Sequence, residues 1–183
     1  MTVSIQLRSP DAAMLAAYVA ALEAGWSPST TRDVTGEHLA AIAADPAAFL
    51  LDQQERSGGT ITLKDGGKAP RIPGPIFWIW EGGFCGQINL RYQHGTLDLP
   101  PHVSGHVGYS VVPWKQRRGI ATQALRELLP VAASRGLREV LITCDADNEG
   151  SRKVIERAGG VYAGSEFSAE HGTTKLLFWV ATG

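Results

Sequence analysis

The stretch 106–125, HVGYSVVPWKQRRGIATQAL, constrains this chain more than any other. A strand-like run, 106–112, ends at Pro113, which cannot donate a ladder hydrogen bond. A basic loop follows. Gly119 then opens a segment in which Ile120, Ala124, Leu125, Leu128 and Leu129 recur with helical period. The first N–H groups of a helix have no internal partner and carry roughly half a positive charge through the macrodipole. Gly119 leaves room for close approach, Arg117 and Arg118 add charge, and Thr122 adds a hydroxyl. Strand, basic loop and Gly-opened helix together make a phosphate cradle. On this stretch alone, solvated arginines before an ordinary helix fit equally well. Neither the GxxxxGK[ST] nor the GxGxxG pattern is present.

The rest of the chain supplies the frame. SIQLR reads as a short strand, and Ser9-Pro10 as the start of a helix over 10–24 that Gly25 ends. A second helical region begins after Thr35 and restarts at Asp45-Pro46. The segment 57–75 is rich in Gly and Pro, a long loop that is functional or mobile, with TITL as a small strand. PIFWIWEGG and FCGQINLRY form an antiparallel hairpin. Pro130 is expected to kink or shorten the helix after Gly119, and Gly136 ends it. EVLITC reads as a buried strand without alternation, Ser151 to Ala158 as a short helix, and KLLFWVA as the last strand. The pattern is mixed α+β with helices on both faces of one sheet.

At 183 residues the chain is expected to form one domain, 1–183. The net charge of −1 gives the whole molecule no electrostatic reason to seek nucleic acid or an anionic membrane, so any anion site is local. No run reaches the roughly 20 apolar residues of a membrane span, and MTVSIQLRSP lacks the apolar centre of a secretion signal. Cys85 and Cys144 lie in apolar runs without zinc-ligand spacing and read as buried thiols. A cytoplasmic location fits both points.

The junction resembles motif A of the GNAT acyl-CoA N-acyltransferase superfamily, whose signature is Q/R-x-x-G-x-G/A. It stands here as Gln116-Arg117-Arg118-Gly119-Ile120-Ala121. A second stretch, CDADNEGSRKVIERAGG at 144–160, resembles motif B. The likeness covers about 80–180 in detail and is greatest to a bacterial branch of acetyltransferases without an assigned substrate. It implies a mixed, mostly antiparallel central sheet splayed between its two central strands, with acetyl-CoA as donor. The diphosphate would lie on the amides of Arg117 to Thr122. The pantetheine arm would run between strands 106–112 and 139–144 and touch the backbone of Val111 and Val112. A free amide at either residue would polarise the thioester carbonyl. Asn148 would be a cofactor contact, a helix N-cap, or both.

Amine acetylation needs a base for the amine and a proton donor for the leaving thiolate. Many relatives carry a Tyr seven residues after the motif B Asn, whereas this chain has Ile155. Ser151 and Tyr109 are the nearest polar substitutes. His106 stands where some relatives have Glu and is the candidate base. A half-buried strand histidine bonded to a neighbour is the competing reading. His94, Asp98, His102 and Glu81 are candidate borders of the acceptor pocket, while Asp145 and Asp147 read as structural turn residues. Trp78, Trp80 and Trp179 read as packing residues. Trp114 would cover the cofactor or meet a partner. The chemistry requires no metal. The resemblance thus implies transfer of acetyl to a primary amine of a small molecule or peptide, and leaves a homodimer open. A non-catalytic acyl-CoA-binding module and a generic nucleotide-binding protein are the alternatives.

Overall fold

The structure, a computed structural model, describes residues 4–54, 58–63, 66–169 and 172–183. In chain order it contains β1 (Gln6–Arg8), α1 (Ala12–Glu23), α2 (Thr35–Ala44), α3 (Pro46–Gln54), β2 (Thr60–Thr62), β3 (Lys68–Pro70), β4 (Ile76–Trp80), β5 (Phe84–Leu90), β6 (Val107–Val111), α4 (Ile120–Ser134), β7 (Glu139–Asp145), α5 (Glu149–Arg157), β8 (Val161–Ser168) and β9 (Thr173–Ala181). Strands β1-β4-β5-β6 form one antiparallel sheet and β7-β9-β8 another, with β2-β3 as a small hairpin.

Helices cover both faces. On one side Ile120, Ala124, Leu125 and Leu128 of α4 pack with Ile88, Leu90, Val140 and Ile142. On the other, Met14, Tyr18 and Leu22 of α1 and Phe49 and Leu50 of α3 close over Ile76 and Trp78. The Tyr18 and Trp78 rings stack at 4.6 Å and 11°. Both faces of the sheet are therefore largely covered by packing, and an open cleft begins where the sheet itself divides.

That division lies between β6 and β7. The two strands meet at His106, whose N–H donates to the Leu141 carbonyl at 2.8 Å, while the Leu141 N–H donates to the imidazole Nδ1 at 2.9 Å. An imidazole thus takes the N–H that a carbonyl would take in a continuing ladder. The strands advance in the same direction, since Tyr109 further along β6 reaches Ser151 just past the end of β7. From Val107 onward both line an open cleft.

Several expectations are corrected. Asp11, not Ser9, caps α1, its Oδ1 accepting from the Met14 N–H at 3.0 Å. Pro130 does not shorten α4, which continues to Ser134. The motif B helix starts at Glu149 rather than Ser151. β7 does alternate, with Val140, Ile142 and Cys144 buried and the residues between them partly open, because its other face borders the cleft. β3 and β8 were not anticipated. TITL does contain β2, whereas Ser57, Lys64 and Asp65 of the 57–75 segment lie outside the described residues. No helix among the described residues is long and apolar enough to cross a membrane.

Candidate active site

The cleft encloses about 1330 Å³. A single small-molecule site takes about 300–1,000 Å³, so two substrates have room. One wall is the junction picked out by the sequence. Val112 leads into a 3₁₀ turn over Pro113–Lys115, and the chain then takes positive φ at Arg117 (60°) and Gly119 (80°). A Cβ built on Gly119 would meet no atom within 4 Å. The glycine is therefore not relieving crowding within the protein. It holds a left-handed backbone and leaves the helix entrance clear. None of the backbone N–H groups from Arg117 to Thr122 has a partner among the described residues. Except for Arg118, these six residues line the cleft. An open row of amides at a dipole's positive end fits a diphosphate.

The two valines separate in role. The Val112 N–H is bonded to the Cys85 carbonyl at 3.0 Å and its carbonyl to the Lys115 N–H at 3.0 Å, and the residue is fully buried. Val112 is thus corrected from a backbone contact to a packing residue. By the alternation of an antiparallel ladder, the Val111 N–H turns away from β5 toward the cleft. The Val111 carbonyl accepts from Gln116 Nε2 at 3.0 Å, which ties the loop to the strand. Gln116 thereby braces the cradle.

Across the cleft, Asn148 caps α5, its Oδ1 accepting from the Ser151 N–H at 2.9 Å. Its NH₂ group is not used by that bond. Ser151 Oγ lies 2.7 Å from the Tyr109 hydroxyl, and Tyr109 also donates to the Ser151 carbonyl at 3.3 Å. Burial pushes the Tyr109 pKa up to about 12, so the phenol stays protonated. Ile155 is fully buried in the core. The position that holds Tyr in many relatives is therefore apolar and inward, and the polar pair sits one turn earlier, at Ser151, completed from β6.

His106 is fully buried and does not line the cleft. Burial, and then the charge of Arg91, hold its pKa below the ordinary imidazole value. His94, Asp98, His102 and Glu81 do not line the cleft either. His102 is drawn to the Pro70 carbonyl at 3.1 Å. Trp114 is 53% exposed and off the cleft wall. His38, which motif reasoning missed, is the one imidazole of the cleft lining among the described residues. Its Nδ1 lies 2.7 Å from the Tyr18 hydroxyl.

Cys144 is buried yet lines the cleft, with burial pushing its thiol up. Asp145 is more than the turn residue expected, since its Oδ1 pairs with the nearly buried Lys175 at 2.6 Å. Among the described residues no three His, Cys, Asp or Glu side chains gather as a metal set.

Residues 6–161 match the acetyltransferase (GNAT) domain family. This chain is a GNAT acetyltransferase. Solved structures agree on the fold. The microcin C7 self-immunity acetyltransferase MccE, in complex with acetyl-CoA and AMP, superposes with a TM-score of 0.63 at 14% identity, over 98% of this chain and 93% of that one. RimL, a ribosomal-protein α-N-acetyltransferase holding coenzyme A in a disulfide with a cysteine, gives 0.64 at 18%, over 98% and 96%. RimJ of Mycobacterium smegmatis, in complex with a CoA-disulfide, gives 0.64 at 21%, over 97% and 81%. No curated protein sequence matches the chain. As a member of this family the GNAT chain is an acetyl-CoA-dependent acetyltransferase.

Proposed function

We propose that this acetyltransferase moves the acetyl group of acetyl-CoA to a primary amine of a small molecule or peptide, within its single domain. The observation that carries the reading is the open amide row from Arg117 to Thr122, facing the Tyr109–Ser151 pair across the splay. The amides and Arg117 receive the diphosphate, with Arg118 adding charge. The Asn148 NH₂ adds a contact from the opposite wall. The Val111 N–H is the donor available to the thioester oxygen, where negative charge grows as the amine attacks. Ser151 Oγ–H, held by the protonated Tyr109 phenol, hydrogen-bonds to the sulfur as it leaves, and the proton that the base takes from the amine returns to the thiolate.

His106 is reassigned in this reading. A base must reach the amine, and this imidazole is sealed below the cleft with Nδ1 already accepting from Leu141. It acts as a pin that ends the β6–β7 contact and so sets where the slot begins. The role of base passes to His38, in the lining of the acceptor end.

A panel of amines with acetyl-CoA, read by release of free thiol, tests the reading. Tight binding of acetyl-CoA with no release from any amine would reduce the protein to an acyl-CoA-binding module, and equal affinity for ATP and acetyl-CoA would make it a generic nucleotide binder. In the active protein, Ser151→Ala is expected to lower kcat by about 10²-fold with the acetyl-CoA Kd unchanged, and Tyr109→Phe by less, as for loss of general-acid donors. Wild-type kcat in Ser151→Ala would remove the pair from the chemistry. His38→Ala is expected to flatten the acidic limb of the kcat/KM pH profile, and an unchanged limb would exclude His38 as base.

A further inference from the structure

Beyond the transfer site the cleft runs on to an end that motifs A and B do not reach. β5 is a central strand, between β4 and β6, and strands covered on both faces usually read apolar on both. Here Ile88 and Leu90 bury against α4, but Gln87, Asn89 and Arg91 alternate along the other face, and all three line the cleft. Gly108 stands opposite Asn89. A Cβ there would fall 2.8 Å from Asn89 Oδ1 and 3.3 Å from Arg91 Nη2. The polar row has its space because β6 carries no side chain at that point.

The cleft lining also carries unmet hydrogen-bonding capacity. Gln87 is 8% exposed and Gln53 of α3 is 2% exposed. Gln87 Nε2 donates to the Pro28 carbonyl at 3.3 Å, which orients the amide. Among the described residues its Oε1 is buried without a partner, and so are Gln53 Oε1 and Arg71 Nε. Arg71 Nη1 holds Asp52. Its Nε–H lies on the edge of the guanidinium that a carboxylate can grip two-pronged. Buried polar groups are normally paired. Three unpaired ones in the cleft lining, from α3, from the chain after β3 and from β5, describe a ligand with donors on one side and an acceptor on the other.

We propose that this end selects an amine carrying a carboxylate close to its amino group, an amino-acid-type small molecule. Gln87 Oε1 and Gln53 Oε1 take the amine N–H donors, and Arg71 takes the carboxylate. The proposal rests on the acetyl-transfer reading above. A peptide N-terminus offers a neutral amide where this acceptor carries its charge.

The test pairs free amino acids with their carboxamides and with short peptides, at saturating acetyl-CoA, reading thiol release. Free amino acids are expected to exceed their carboxamides in kcat/KM by about tenfold or more, the scale at which a site built around a substrate polar group rejects its analogue. Arg71→Gln raises KM for amino acids about tenfold and erases that preference, with the acetyl-CoA Kd and the carboxamide KM unchanged. Arg71→Lys, which keeps charge but loses the edge, falls between. Gln87→Leu raises KM for every amine. Equal or better turnover of carboxamides or peptides, or a preference that survives Arg71→Gln in a protein with wild-type Tm, overturns the proposal while leaving acetyl transfer intact. Thiol release from no amine would defeat the acetyl-transfer reading and this proposal with it.

Discussion

Gly119→Glu is expected to abolish measurable acetyl-CoA binding, a loss of at least about 10²-fold in Kd. Three effects add. Gly119 lines the cleft, and a Cβ there would stand in open space, with no atom beyond its chain neighbours within 4 Å. A non-glycine residue at φ 80° carries backbone strain of about 1 kcal/mol or more. A carboxylate at the positive end of α4 also reverses the local charge that favours phosphate. Gly119→Ala separates these effects. It keeps the strain and adds little bulk, so it should weaken binding far less. Calorimetry with acetyl-CoA checks both variants, with thermal melts to show that each is folded. Wild-type affinity in Gly119→Glu would remove the diphosphate from this helix entrance.

His106→Ala is expected to cost about 2–4 kcal/mol of folding stability and to weaken acetyl-CoA binding together with it. The variant leaves the Leu141 N–H without its acceptor, worth about 1–3 kcal/mol for a buried donor, and opens a cavity at a site with no exposure. His106→Asn, whose side-chain oxygen can stand near Nδ1, should recover part of both losses. A catalytic base would show the opposite pattern, with kcat lost and stability kept. The same residue predicts a pH dependence. Its folded pKa lies below that of a free imidazole, about 6.5. Above that pH both states are neutral and the folded protein has its full stability. Below it the unfolded chain binds a proton that the folded chain refuses, so stability falls as pH drops. Chemical denaturation between pH 5 and 8 should show this fall in wild type and a shallower one in His106→Asn. Equal slopes would mean that the imidazole titrates freely and is not held as the structure shows.

These two residues mark how far the sequence could be read. The left-handed entrance to α4 was legible because it is local. A strand-ending Pro, a basic loop, one Gly and a helical repeat lie within twenty residues, and the proposed diphosphate contacts there are backbone groups rather than side chains. The element order and the two-faced cover were legible for the same reason, since apolar periodicity reports burial directly. His106 was not, because its neighbours in sequence say nothing of Leu141, which lies 35 residues away and seals it. β8 escaped notice because VYAGSEFS is exposed along most of its length and has a register shift near Gly164, so no alternation marks it. The proposed acceptor end is dispersed, drawing Gln53, Arg71 and Gln87 from three parts of the chain. Its one local trace is the alternation of Gln87, Asn89 and Arg91 with Ile88 and Leu90, which announces a polar face on a strand that the topology makes central.

A crystal structure of the protein with acetyl-CoA tests the central claim most directly. The diphosphate should lie within hydrogen-bonding distance of backbone N–H groups between Arg117 and Thr122, with the thioester oxygen at the Val111 N–H and the sulfur beside Ser151 Oγ. Acetyl-CoA bound with its diphosphate away from those amides, or its sulfur far from Ser151, would contradict the account.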